Sequence, residues 1–83
     1  LTHLSISKNN ISSLEEGCFE YLSDLIMLDL SWNALQEVRS QWFTGLSALT
    51  LLYMNGNKIE TIQDNAFKSL KELHHLDLSN NDL

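Results

Sequence analysis

A strict 24-residue period governs this chain. Lines begun at Leu1, Leu25, Leu49 and Leu73 read LTHLSISKNNI, LIMLDLSWNAL, LTLLYMNGNKI and LHHLDLSNNDL, and each start lies 24 residues after the last. Three complete units, 1–24, 25–48 and 49–72, are followed by a partial unit, 73–83. Apolar residues stand at positions 1, 4, 6 and 11 of every unit and at positions 14, 19 and 22 of the complete ones. That makes 25 ladder positions, and all 25 are apolar. A period of this length marks a chain built by stacking one small unit, because a single unit cannot bury its own apolar column.

The spacing within a unit says how it stacks. Positions 4 to 6 read as a short strand, with residues 4 and 6 turned inward and residues 3 and 5 outward. Successive strands then lie in parallel. The return segment, positions 12 to 24, carries apolar residues at spacings of five and three, which suits a loop with a short helical turn better than a second strand. The expected fold is an α/β repeat solenoid, a single segment over 1–83, with a parallel β-sheet on one face and irregular or short helical segments on the other. Asn9, Asn33, Asn57 and Asn81 share one column. An inward amide can donate to and accept from the backbone where the chain leaves the strand, so the column reads as a structural ladder.

Composition narrows the function. Five basic residues against eleven acidic ones give a net charge of -6, without the basic face that nucleic acid requires. No apolar run reaches membrane-span length, so a membrane connection is expected only through an anchor outside this segment. The single cysteine can neither close an internal disulfide nor build a zinc site. On positions 2 to 11 Lys8 and Lys58 oppose Asp29, Asp77 and Asp82; the other segments hold most of the negative charge and read as an acidic, solvated coat.

The pattern LxxLxLxxNxLxxLxxxxFxxLxx, which runs through the whole chain, resembles the leucine-rich repeat family in its 24-residue class. The resemblance implies a horseshoe segment with the parallel sheet on the concave face. It also implies an extracellular setting, either secreted or the ectodomain of a membrane receptor, as in Toll-like receptors, variable lymphocyte receptors and adhesion proteins. The family binds, usually protein, and is not enzymatic, so a protein ligand or receptor partner is expected and no cofactor is. Position 18, often Ala in the family, holds Cys18 and Trp42 here, with Ala66 keeping the pattern. Cysteine-bearing caps are absent, and the stretch is expected to be an excerpt from a longer array.

Eleven apolar residues lie off the ladder, and their placement suggests a binding surface. Met27 and Leu51 occupy outward position 3, Tyr53 outward position 5, and Trp32 position 8 just beyond the strand. At the usual strand spacing of about 4.8 Å these four fall on one concave patch, with Asp29, His75 and Asp77 as polar neighbours. Ligand recognition through this patch is the leading expectation. The alternative is a spacer whose outward residues merely cover one another. Asp29 and Asp77 share a column two strands apart, roughly 10 Å, with Tyr53 between them, which does not suit a carboxylate pair in a cleft. No column orders Ser, His and Asp for nucleophilic catalysis, and the adjacent His74 and His75 point to opposite sides and cannot clamp a metal. Asn10, in the only sequon Asn10-Ile11-Ser12, is expected to face solvent and accept a glycan. Cys18 is expected to be a partly buried, slow-reacting thiol beside Glu15, Glu16 and Glu20.

Overall fold

The computed structural model describes all residues 1–83 and is assembled from extended segments. In chain order these are β1 (His3–Ser5), β2 (Met27–Asp29), β3 (Glu37–Val38), β4 (Leu51–Tyr53), β5 (Thr61–Ile62) and β6 (His75–Asp77), with one 3-10 helix at Ser40–Phe43. The principal sheet has the order β1-β2-β4-β6, all parallel. Its register pairs every residue with the one 24 positions later: Leu4 with Leu28, Leu28 with Leu52, Leu52 with Leu76. The period in the sequence is therefore the register of the sheet.

Regular strand covers positions 3 to 5, one residue earlier than the apolar spacing suggested. The ladder nevertheless continues through position 6, where the N–H groups of Ile6, Leu30 and Met54 donate to the carbonyls of Asp29, Tyr53 and Asp77 at 2.9, 2.8 and 2.9 Å. Position 8 adds another rung, with Lys8, Trp32 and Gly56 donating to Ser31, Asn55 and Ser79. All four position-8 residues, Lys8, Trp32, Gly56 and Asn80, have positive φ, between 56° and 73°. The left-handed bend is thus imposed by the unit and recurs whatever side chain occupies it.

The return segment differs from expectation. Glu37–Val38 and Thr61–Ile62 form a second, two-stranded parallel sheet at positions 13 and 14, and only in the second unit do the turns that follow become a regular 3-10 helix. β-branched Val38, Thr61 and Ile62 favour extended backbone, whereas Ser13-Leu14 of the first unit forms no strand. A two-residue strand leaves no periodicity for a sequence reading to find.

Between the two faces lies one continuous core. Fifteen buried apolar residues form it, and thirteen of them are ladder residues; Trp42 and Ala66 are the other two. Ten more ladder residues pack against it partly buried, which leaves only Leu1 and Leu83 out in solvent. Burial is complete for Leu28, Leu30, Leu52 and Met54 in the inner units and partial for Leu4, Ile6, Leu76 and Leu78 in the outer ones, since an outer column has a neighbour on one side only. Phe43 stacks on Phe67 at 5.8 Å between ring centres, and Trp42 meets Phe43 edge-on at 6.3 Å. Trp42 fills the position-18 column as a large core side chain, although its indole N–H is buried without a partner.

The Asn column closes the bends. Asn33 Oδ1 accepts from the N–H groups of Asn9 and Ile11 at 2.9 and 3.0 Å, while its Nδ2 donates to the carbonyls of Ile6 and Leu30, both at 3.0 Å. Asn57 and Asn81 repeat the pattern, accepting from Leu35 and Ile59 and donating back into the preceding unit through Leu30 and Met54. Each amide satisfies polar groups of two units at once and so ties neighbouring turns together. Asn9 makes its side-chain bonds only within its own unit, to the carbonyls of Ile6 and Ser7.

Candidate concave binding face

Outward positions 3 and 5 of the principal sheet form two rows. The first runs His3, Met27, Leu51, His75 and the second Ser5, Asp29, Tyr53, Asp77, each member paired across a strand boundary with the next. Because parallel strands lie about 4.8 Å apart, the rows make one surface of eight side chains. The structure brings Met27, Asp29, Leu51, Tyr53, His75 and Asp77 together on it. The middle four, Met27, Asp29, Leu51 and Tyr53, are half-buried, and the outer His3, Ser5 and His75 are exposed. Tyr53 and His75 sit on a diagonal, with ring centres 5.5 Å apart and planes tilted by 56°.

Trp32 is placed differently from the other expected site residues. It stands where the chain leaves β2, is 51% exposed, and has a backbone φ of 56°. Its indole lies over Gly56, the position-8 residue of the next unit; a Cβ there would run into Trp32 Cδ2 and Cε3. The seat was not visible in the sequence reading, although Gly56 is the only glycine in its column. Trp32 is thus an aromatic ledge at the end of the sheet rather than a member of the two rows.

Two of the acidic side chains are already engaged. Asp29 Oδ1 accepts from the N–H and hydroxyl of Ser31 at 2.9 and 2.6 Å, and Asp77 Oδ1 does the same from Ser79 at 3.0 and 2.6 Å. The signal is the tripeptide Asp-Leu-Ser, present at 29–31 and 77–79 and replaced by Tyr53-Met54-Asn55 in between. The hydroxyl and the N–H of Ser79 hold the Asp77 carboxyl below the usual carboxylate range; slight desolvation opposes them and nearby His75 adds to them. Each carboxylate keeps its second oxygen for another group.

The remaining expected sites are placed as follows. Asn10 is exposed, with φ 57°. Cys18 is exposed rather than partly buried, a correction that follows from the turn at 16–21, which leaves residue 18 of the first unit outside while Trp42 and Ala66 of the later units enter the core. Partial desolvation of the sulfur still raises the Cys18 pKa, and the Glu15 charge raises it further. His74 is tied to the Glu72 carbonyl at 2.7 Å, outside the sheet rows.

A family model described as Leucine rich repeat matches residues 1–59 and again 33–83, and the two matches together span the chain. The chain belongs to the leucine-rich repeat family. Leucine-rich repeats are commonly protein-interaction modules on a non-enzymatic fold, and domains built from them generally bind protein partners. A comparison with curated proteins returned no match. No helix of this leucine-rich repeat chain is long and apolar enough to cross a membrane.

Proposed function

We infer that this segment is a recognition module of an extracellular leucine-rich repeat receptor and binds a protein partner through its concave face. The observation that carries the reading is the row pair itself. Met27, Leu51 and Tyr53 project from the solvent side of the sheet, where nothing in the fold requires an apolar or aromatic residue, and Trp32 extends them with half its surface in water. A desolvable aromatic and aliphatic centre with a polar rim is the anatomy of a protein-binding patch. The free oxygens of Asp29 and Asp77 favour a partner that brings a basic or hydrogen-bond-donating group beside its apolar anchor. Given secretion, the exposed Asn10 sequon is open to a glycan, which mass analysis of the secreted protein checks.

A photo-crosslinking residue placed at Tyr53, and in a second version at Glu60 on the return side, tests the reading in the secreted parent protein. The concave version should capture one discrete protein and the Glu60 version should not. Equal capture from both sides would remove the concave assignment. The spacer reading draws on a different observation, the Asp29–Ser31 and Asp77–Ser79 bonds, which leave the outward carboxylates partly satisfied without any partner. It predicts no discrete capture from either position.

A further inference from the structure

Asn55-Gly56 is the one Asn-Gly pair in the chain; the other two glycines follow Glu16 and Thr44. Glycine has no Cβ to shield its backbone nitrogen, so an Asn directly before it is the side-chain amide most open to attack by the next peptide nitrogen. Asn55 also differs from the rest of its column. Ser7, Ser31 and Ser79 hold the same position in the other units, and the hydroxyls of Ser31 and Ser79 are tied to Asp29 and Asp77. Tyr53 stands where those carboxylates would be, so the half-buried Asn55 amide lacks that tether.

The backbone between Asn55 and Gly56 is fastened on both sides. The Asn55 carbonyl accepts from the Trp32 N–H at 2.9 Å, and the Gly56 N–H donates to the Ser79 carbonyl at 3.0 Å. One peptide plane is thus a rung to the preceding unit and to the following one. Gly56 has a left-handed φ of 73°, and the Trp32 indole lies over it, where a Cβ would run into the ring. Attack on the Asn55 amide requires the Gly56 nitrogen to give up its bond to Ser79 and the peptide plane to turn. The two rungs and the indole oppose both movements.

We propose that Asn55-Gly56 is a self-modification site that the fold keeps closed. When the site opens, the Gly56 nitrogen attacks Asn55 Cγ and the new N–Cγ bond closes a succinimide ring. The Cγ–Nδ2 bond breaks, and ammonia leaves carrying the proton displaced from the Gly56 nitrogen. Solvent water then opens the ring at either carbonyl, giving aspartate or isoaspartate. The rate in the folded protein follows how often the neighbouring units separate locally. Isoaspartate lengthens the main chain by one carbon, so the rungs to Trp32 and Ser79 cannot both re-form. Either product places a new negative charge two residues from Tyr53. The modification ages the concave face in one direction, whatever that face binds.

Incubation at mildly alkaline pH, followed by peptide mass mapping, tests the site on the folded protein and on the same protein in denaturant. In denaturant Asn55 should convert ahead of every other asparagine, and in the folded protein at least about ten-fold more slowly. Trp32→Lys installs the residue that Lys8 provides in the same column and should accelerate conversion in the folded protein. Ile59→Val removes one buried methylene, leaves the indole seated and should accelerate it less. Melting curves report that each variant is folded during incubation. Refolded isoaspartyl protein should melt below Asn55→Asp, which carries the charge without the extra backbone atom. No lead for Asn55 in denaturant would overturn the site, and equal rates in folded and denatured protein would overturn its closure. A Trp32→Lys rate no higher than that of Ile59→Val would remove the indole from the closure, and equal melting of the two acidic products would overturn the broken rungs.

Discussion

The Trp32 indole rests on Gly56, the residue that occupies its own column one unit further on. Both have left-handed backbone, φ 56° and 73°, so the larger side chain of the pair sits on the place where the next unit has none. Left-handed geometry costs an L-residue about 1–2 kcal/mol, and the unit imposes it on Trp32 regardless. The pair therefore fixes an exposed aromatic ledge in one orientation. Gly56→Ala should destabilise the protein by about 1–3 kcal/mol, through backbone strain and collision with the indole. In a Trp32→Asn background the collision is gone and the cost should shrink by about 1 kcal/mol. Denaturation of the four proteins in the cycle measures this coupling, and strictly additive effects would mean that the indole does not press on residue 56.

Asn57→Ala should cost about 1–3 kcal/mol, because it strands the Leu35 N–H in the interior and takes one of two donors from each of the Leu30 and Met54 carbonyls, which keep Asn33 and Asn81. Asn9→Ala should cost less than about 1 kcal/mol, since Asn9 bonds only exposed carbonyls of its own unit. Equal losses from the two substitutions would contradict a ladder that works by tying one unit to the next.

Asp77 titrates below the ordinary carboxylate range because Ser79 donates two hydrogen bonds to its ionised form. A depressed folded-state pKa means that the stabilisation is present above the unfolded value, about 3.9 for aspartate, and is lost as pH falls through the lowered folded value. Ser79→Ala should move the carboxyl-carbon titration midpoint of Asp77 upward. A midpoint that stays put would show that the hydroxyl bond is not what holds it down.

Cys18 combines exposure with a raised pKa, caused first by partial desolvation and then by Glu15. Access is open but thiolate is scarce, so alkylation near pH 7 should run slower than for an unfolded-chain cysteine and accelerate as pH rises. Glu15→Gln should speed it modestly at neutral pH. Labelling at the unfolded-chain rate at pH 7 would contradict the shift.

The period was legible because burial enforces it. Each ladder residue must meet its counterpart 24 positions away, so one misplaced polar residue would open the core, and the register of Leu4, Leu28, Leu52 and Leu76 could be read directly from the letters. The outward rows were legible for the same reason, as the complement of the inward ones. What escaped rests on local backbone chemistry. The β3–β5 pair is two residues long and carries no period; Cys18 and Trp42 share a column yet end on opposite sides of the surface, because the first unit turns where the second has its 3-10 helix. The Gly56 seat depends on a neighbour 24 residues back, and no pattern of hydrophobicity encodes that a Trp will lie flat over a glycine.

Melting and partner affinity measured on the same four variants test the central claim, that the outward rows and the Trp32 ledge bind while the inward ladder folds. Leu52→Ala and Phe43→Ala empty fully buried positions and should lose about 2–5 kcal/mol of stability, with binding lost only through unfolding. Trp32→Asn and Tyr53→Ser install residues that Asn80 and Ser5 already provide in the same columns. They should keep stability within about 1 kcal/mol while weakening the captured partner by about 2 kcal/mol or more. Normal partner binding by the Trp32 and Tyr53 variants would contradict the concave interface and leave the segment a spacer.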